Sequence, residues 1–278
     1  ISGNYIGDGA GVHLIGGWVT DCTISNNNAY WDSNGWGGGA YVTGGVLSNC
    51  VIVGNMGEMG GGVYMSGGLV TRCVITNNVL DPYSGSQGGA GVRLAGGTLA
   101  NCLVARNRIG NVKSVLGGGV YMTGGALVHC TVADNSLAGG TEGAGLYMTA
   151  GTVTNSIIYH NSSVFPSEGR ENVYATGGSI VYSCTQPLTN HTGNTELSPD
   201  FIDRDAGNYR LAYGSACIDS GTNIASITLD LDGAGRPRDG DADGVARPDR
   251  GCYEADTVTV FTCSFRAEPV TGLVSMPA

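Results

Sequence analysis

The chain has 278 residues, 49 of them glycine, and only 13% are charged, for a net charge of -10. The acidic balance argues against nucleic acid or an anionic membrane as partner; the lack of any apolar run near ~18 residues excludes a membrane-spanning helix, and glycine without strict every-third spacing excludes collagen. Valine, isoleucine, threonine and tyrosine fill much of the remainder, which is strand composition.

The chain opens at Ile1 inside an incomplete coil, without methionine or a signal peptide, and reads as a piece of a longer precursor. Paired glycines then recur at Gly16-Gly17, Gly44-Gly45, Gly67-Gly68, Gly96-Gly97, Gly124-Gly125, Ala150-Gly151 and Gly177-Gly178, in steps of 23 to 29 residues. A repeat of this length marks a solenoid. At a fixed offset after each pair stand Cys22, Cys50, Cys73, Cys102 and Cys130, then Ser156, with Cys184 one residue late. Asn27, Asn55, Asn78, Asn107, Asn135 and Asn161 follow at a second fixed offset. All length variation lies after the asparagine, where loops can grow without disturbing a stack.

The segments beginning at Gly11, Gly39, Gly62, Gly91, Gly119 and Gly145 alternate apolar and variable residues, as a half-buried strand does. Beyond each glycine pair, which is expected to turn the chain, Leu47 and its equivalents lie three before the cysteine and Ile52 and its equivalents two after. A bend between two short strands lets both point inward. These features predict an all-β parallel β-helix of about seven coils over 1–195, with rungs about 4.8 Å apart. The cysteines form a buried packing ladder and the asparagines an amide ladder.

Three groups of residues could carry chemistry. The outward row His13, Tyr41, Tyr64, Arg93, Tyr121, Tyr147 and Tyr174 offers a binding face for a glycan or protein, or is simply a strand surface rich in tyrosine. Arg106, Asp134 and His160, each one position before a ladder asparagine, put a cation, an acid and a base on consecutive rungs; solvated surface charges give the same pattern. The long excursions carry Tyr30, Trp31, Trp36, Tyr83 and Phe165 and should gather along one edge. Past Cys184 the repeat fails. Residues 196–254 are rich in Asp, Arg and Gly and should cap the rod, and 255–278 read as an extended tail. Within the cap, Asp239, Asp241 and Asp243 alternate before Gly244, with Asp249 beyond, which suits Ca2+ or a solvated acidic turn.

The coils GGGVYMSGGLVTRCVITNN and GGGVYMTGGALVHCTVADN resemble the right-handed parallel β-helix repeats of secreted bacterial proteins. LSPDFIDRDAGNYRLAYGSACIDSGTN and DLDGAGRPRDGDADGVARPDRGCYE resemble the C-terminal region of bacterial surface β-helix proteins of the choice-of-anchor Q type. There the segments usually read GSPAIDSG and DIGAYE, with alanine where this chain has Cys217 and Cys252; the resemblance thus implies a Cys217–Cys252 disulfide in an extracellular protein. VTVFTCSFRAEPVTGLVSMPA resembles the opening strand of a polycystic-kidney-disease-type immunoglobulin-like domain, able to add to a neighbouring subunit.

These resemblances imply a bacterial cell-surface setting, and the leading expectation is a non-enzymatic structural module that self-associates head to tail through an uncapped first coil. The alternatives are a glycan-binding adhesin and a polysaccharide-active enzyme. An enzyme of this shape needs a groove with several carboxylates, or a basic residue beside acidic calcium ligands. The coils hold dispersed acids and one lysine, Lys113.

Overall fold

The computed structural model describes residues 1–5, 7–29, 35–80, 88–110, 116–139, 142–165, 169–187 and 192–256. They form a parallel β-solenoid with no helix. Val12–Leu14, Ala40–Val42, Val63–Thr71, Val92–Ala100, Val120–Met122, Leu146–Met148 and Val173–Ala175 run in order through the first sheet. Thr23–Ser25, Val51–Val53, Val74–Thr76, Leu103–Ala105, Thr131–Ala133, Ile157–Tyr159 and Cys184–Thr185 make the second. The winding makes about five turns, against the seven coils expected.

The pairing is in register, so equivalent residues lie over one another. Ile24, Ile52, Ile75, Val104, Val132 and Ile158 stack in one line, with the cysteines of the ladder beside them in a single core. The expected bend falls one residue before each ladder cysteine, at Asp21, Asn49, Arg72, Asn101 and His129, all left-handed. Asparagine and aspartate tolerate that region, whereas arginine pays for the crowding of its Cβ. Arg72, with φ 50°, is therefore strained. Arg72→Asn should raise the unfolding free energy by about 0.5–1 kcal/mol, measurable by urea denaturation.

Two features differ from expectation. The paired glycines do not turn a corner: Val63–Thr71 and Val92–Ala100 run straight through them in one sheet, with register shifts at Gly96. Glycine is required because the rungs touch there; at Gly68, φ +72°, a Cβ would lie 2.7 Å from the Gly45 carbonyl oxygen. A third sheet also begins where loops were expected, in Asn28–Ala29, Met56–Gly57, Val79–Leu80, Arg108–Ile109, Ser136–Leu137 and Ser162–Ser163. It buries Leu80, Ile109 and Leu137 against Ala90 and Ala144 in a smaller core.

Residues 196–256 do not close the end of the rod. They lie along its flank, over the outer face of the second sheet. The outward positions of that sheet record the cover: Thr23 and Val51 are exposed and Val74 is half-buried, but Leu103, Thr131 and Ile157 are buried. Hydrogen bonds mark the seam, from Asn101 Nδ2 to the Leu229 carbonyl (2.8 Å), Asn155 Nδ2 to the Thr222 carbonyl (2.7 Å) and the Cys252 amide to Thr131 Oγ1 (3.2 Å). A shorter piece crosses the last coil, where Thr195 bridges Cys184 and the Ser183 amide donates to Asn194 Oδ1. On the first coil Trp18 and Ile15 are exposed. No helix among the described residues is long and apolar enough to cross a membrane. The tail 257–278 lies outside the described residues, as do Tyr30, Trp31 and Tyr83.

Candidate functional site

The asparagine ladder is continuous. Asn27, Asn55, Asn78, Asn107 and Asn135 each donate through Nδ2 to Oδ1 of the next at 2.9–3.0 Å, and Asn161 passes the chain to Asn172 at 3.1 Å. Each Oδ1 also accepts the backbone amide of the preceding asparagine. With both donors and both lone pairs of the inner members engaged, nothing is left for a ligand.

Arg106, Asp134 and His160 stand together on consecutive left-handed bends, as their spacing requires. Their side chains are taken by the flank segment. Arg106 Nη2 donates to the carbonyls of Arg204 and Asp205, both at 2.9 Å. Asp134 accepts the Tyr209 hydroxyl at 2.8 Å and faces Arg204 Nε at 3.7 Å. Tyr209 is buried, and its pKa is pushed up to about 12 by burial and by that carboxylate. His160 lies edgewise to Tyr159 and near Phe201, and burial, then Arg204, lowers its pKa. The trio thus clasps the antiparallel strands Phe201–Asp203 and Asn208–Leu211.

The tyrosine row is a stack of rings. Tyr121 and Tyr147 are stacked at 5.0 Å and 16°, His13 and Tyr41 at 4.7 Å and 19°, and Trp36 covers Tyr64 at 5.1 Å and 10°. Tyr174 continues the row beyond Tyr147, and the Arg93 guanidinium lies 4.0 Å above Tyr121. Sugars stack on bare ring faces, and these faces are largely turned to one another. Of the aromatic residues on the excursions, Trp36 joins this row and Phe165 is exposed.

In the flank segment, Asp239 and Asp241 meet Asp219 with one carboxylate oxygen each, all within 4.8 Å. Asp219 was not foreseen; its Oδ2 also receives the Gly240 and Asp241 amides and its Oδ1 that of Arg247, so it staples the acidic turn. Burial raises its pKa. Asp243 pairs with Arg247 at 3.5 Å instead. Asp249 is buried away from the turn, its oxygens accepting the amides of Asp219 and Ala255.

Asp249 belongs to a buried ionic knot. Arg236 Nε meets Glu254 at 3.1 Å, with both side chains almost wholly enclosed. Arg236 also donates to the Asp249 and Gly251 carbonyls and lies against the His129 ring. Burial, then Arg236, lowers the His129 pKa to about 2, so the ring is neutral. Asn155 Nδ2 donates to its Nε2, and its Nδ1 lies 3.2 Å from the Asp249 carbonyl with Arg236 Nη1 beside it. Burial and then Glu254 raise Asp249 to about 7, and burial raises Glu254 despite Arg236. A carboxyl whose folded pKa exceeds its unfolded one stabilises the fold at low pH and loses that advantage as pH rises. Unfolding free energy should therefore fall between about pH 4 and 7, by on the order of 4 kcal/mol from Asp249. Asp249→Asn should flatten the profile measured by denaturant titration.

The Cys217–Cys252 pairing is not formed. Both are buried free thiols in separate clusters, Cys252 against Leu103, Ala133 and Tyr209, and Cys217 against Ile157, Leu211 and Ile218. A recess of about 430 Å³ lies within the flank segment beside Ile202, Leu211, Tyr213 and Arg238, and none of the residues predicted for catalysis lines it. No family model, curated protein or solved structure matches the chain.

Proposed function

We propose that this chain is a non-enzymatic structural module of a bacterial cell-surface protein. The observation that carries this reading is that the polar side chains most suggestive of chemistry hold the fold together: the asparagines bond along the rod, Arg106 and Asp134 bond across the seam, and His160 packs near Phe201 there. The resemblance to choice-of-anchor Q proteins supplies the extracellular setting, and the immunoglobulin-like opening of the tail supplies a strand that a neighbour could accept.

Self-association is the second part of the reading. Trp18 and Ile15, exposed on the first coil, offer an apolar surface that a second copy would cover. Glycan binding is the alternative, favoured by the aromatic row and disfavoured by the stacking of its rings. Ca2+ at Asp219, Asp239 and Asp241 would tighten the acidic turn without catalysis.

Incubating the purified chain with a panel of acidic and neutral polysaccharides tests the main claim. No new reducing ends and no unsaturated uronates are expected; release of either by wild type that is lost in Asp134→Asn would overturn it. Negative-stain microscopy tests self-association, with end-to-end assemblies expected and shortened by Trp18→Ser.

A further inference from the structure

The described cysteines fall into three groups. Cys22, Cys50, Cys73, Cys102 and Cys130 lie in or against the main core of the rod. Their column continues through serine, the Cys130 amide donating to Ser156 Oγ and the Ser156 amide to Ser183 Oγ, both at 3.1 Å. Ser183, and not Cys184, thus holds the ladder position in the last coil. One residue out of step, Cys184 faces the other side of its strand, into the seam with the flank segment.

Cys217 waits there. Both cysteines are fully buried in one cluster with Ile157, Leu211 and Ile218. The Cys184 thiol donates to the Leu197 carbonyl at 3.1 Å. Cys217 is pushed well above the usual thiol range by its hydrogen bond to the Cys184 thiol and by burial, so docked Cys217 is a poor nucleophile. Cys252 packs in another cluster, beside Thr131.

We propose that Cys184 and Cys217 are a disulfide-forming pair that clamps the flank segment to the last coil when the chain folds under oxidising conditions. The oxidant is a small-molecule disulfide such as oxidised glutathione. The thiolate of one cysteine attacks it, forming a mixed disulfide and releasing one glutathione thiolate. The second cysteine, as thiolate, attacks the protein sulfur of that mixed disulfide and releases the other glutathione. One S–S bond breaks and one forms, two electrons pass to glutathione, and the two protons lost by the cysteines end on the released thiols. Exchange takes place before the seam closes, since the docked thiols are enclosed. The new bond closes the stretch Thr185–Ala216 and restricts the unfolded chain.

The full chain, reduced and unfolded, is refolded in a mixture of reduced and oxidised glutathione, unfolded again with an alkylating agent, and digested without reductant for mass spectrometry. A Cys184–Cys217 linked peptide is expected, with Cys252 and the ladder cysteines alkylated. Alkylated Cys184 and Cys217, or either one joined to another cysteine, would overturn the proposal. Cys217→Ser should lower the thermal midpoint relative to wild type more in oxidising than in reducing buffer. An equal loss in both would mark packing alone and also count against the bond.

Discussion

Asn107→Ala should cost about 3–5 kcal/mol of unfolding free energy, far more than an ordinary polar-to-alanine change. Asn107 is fully buried, and its side chain serves four partners: Oδ1 accepts the Asn78 amide and Asn78 Nδ2, and Nδ2 donates to the Ile75 carbonyl and to Asn135 Oδ1. Truncation strands all four where water cannot replace them. Asn107→Asp should be worse at neutral pH, because a carboxylate has no donor and faces two acceptor oxygens, and it should recover partly as the pH falls and the group protonates. Asn77→Ala, on the exposed neighbouring bend, is the control; it should cost only about 1 kcal/mol for placing alanine in a left-handed conformation. Urea unfolding of the three variants reads the difference.

Arg236→Ala should cost a similar amount, about 3–5 kcal/mol, but in a different place. It leaves Glu254 charged and enclosed, and removes the donors to the Asp249 and Gly251 carbonyls. Since this knot joins the flank segment to His129 on the rod, the loss should free the segment and spare the coils. Hydrogen exchange should show faster exchange across 196–256, with the strands around Ile52, Ile75 and Val104 still protected. Arg236→Met combined with Glu254→Leu removes both charges and should recover much of the loss. Uniform loss of protection along the rod would mean that segment and coils unfold as one unit.

Much of the rod is legible in the sequence because in-register stacking makes each column of residues a column of letters. The inward Ile and Val positions, the ladder asparagines and the cysteines could be placed from fixed offsets alone. The third sheet was also within reach, since Leu80, Ile109 and Leu137 stand two residues after successive asparagines; the varied loops that follow hid so short a strand. The glycine pair was misread as a corner because a positive φ serves a kink within a sheet equally well. The flank segment could not be read. Its path along the second sheet depends on single contacts distant in sequence, such as Asn101 with Leu229 and His129 with Arg236, and no period announces them. That gap explains the misplacement of the predicted sites. Arg106, Asp134 and His160 look like free surface groups until the segment that engages them is in place, Asp219 reaches the acidic turn only through the fold, and Cys217 meets Cys184 because one strand ends out of step with the ladder.

The flank segment claims the polar groups of the rod, and the bond between Asp134 and Tyr209 is the most direct expression of this. A double-mutant cycle with Asp134→Ala and Tyr209→Phe, followed by chemical unfolding, should give a coupling of about 1–3 kcal/mol, as expected of a part-buried hydrogen bond to a charged group. Coupling indistinguishable from zero would mean that Asp134 is free at the surface, and would contradict the assignment of these residues to holding the fold.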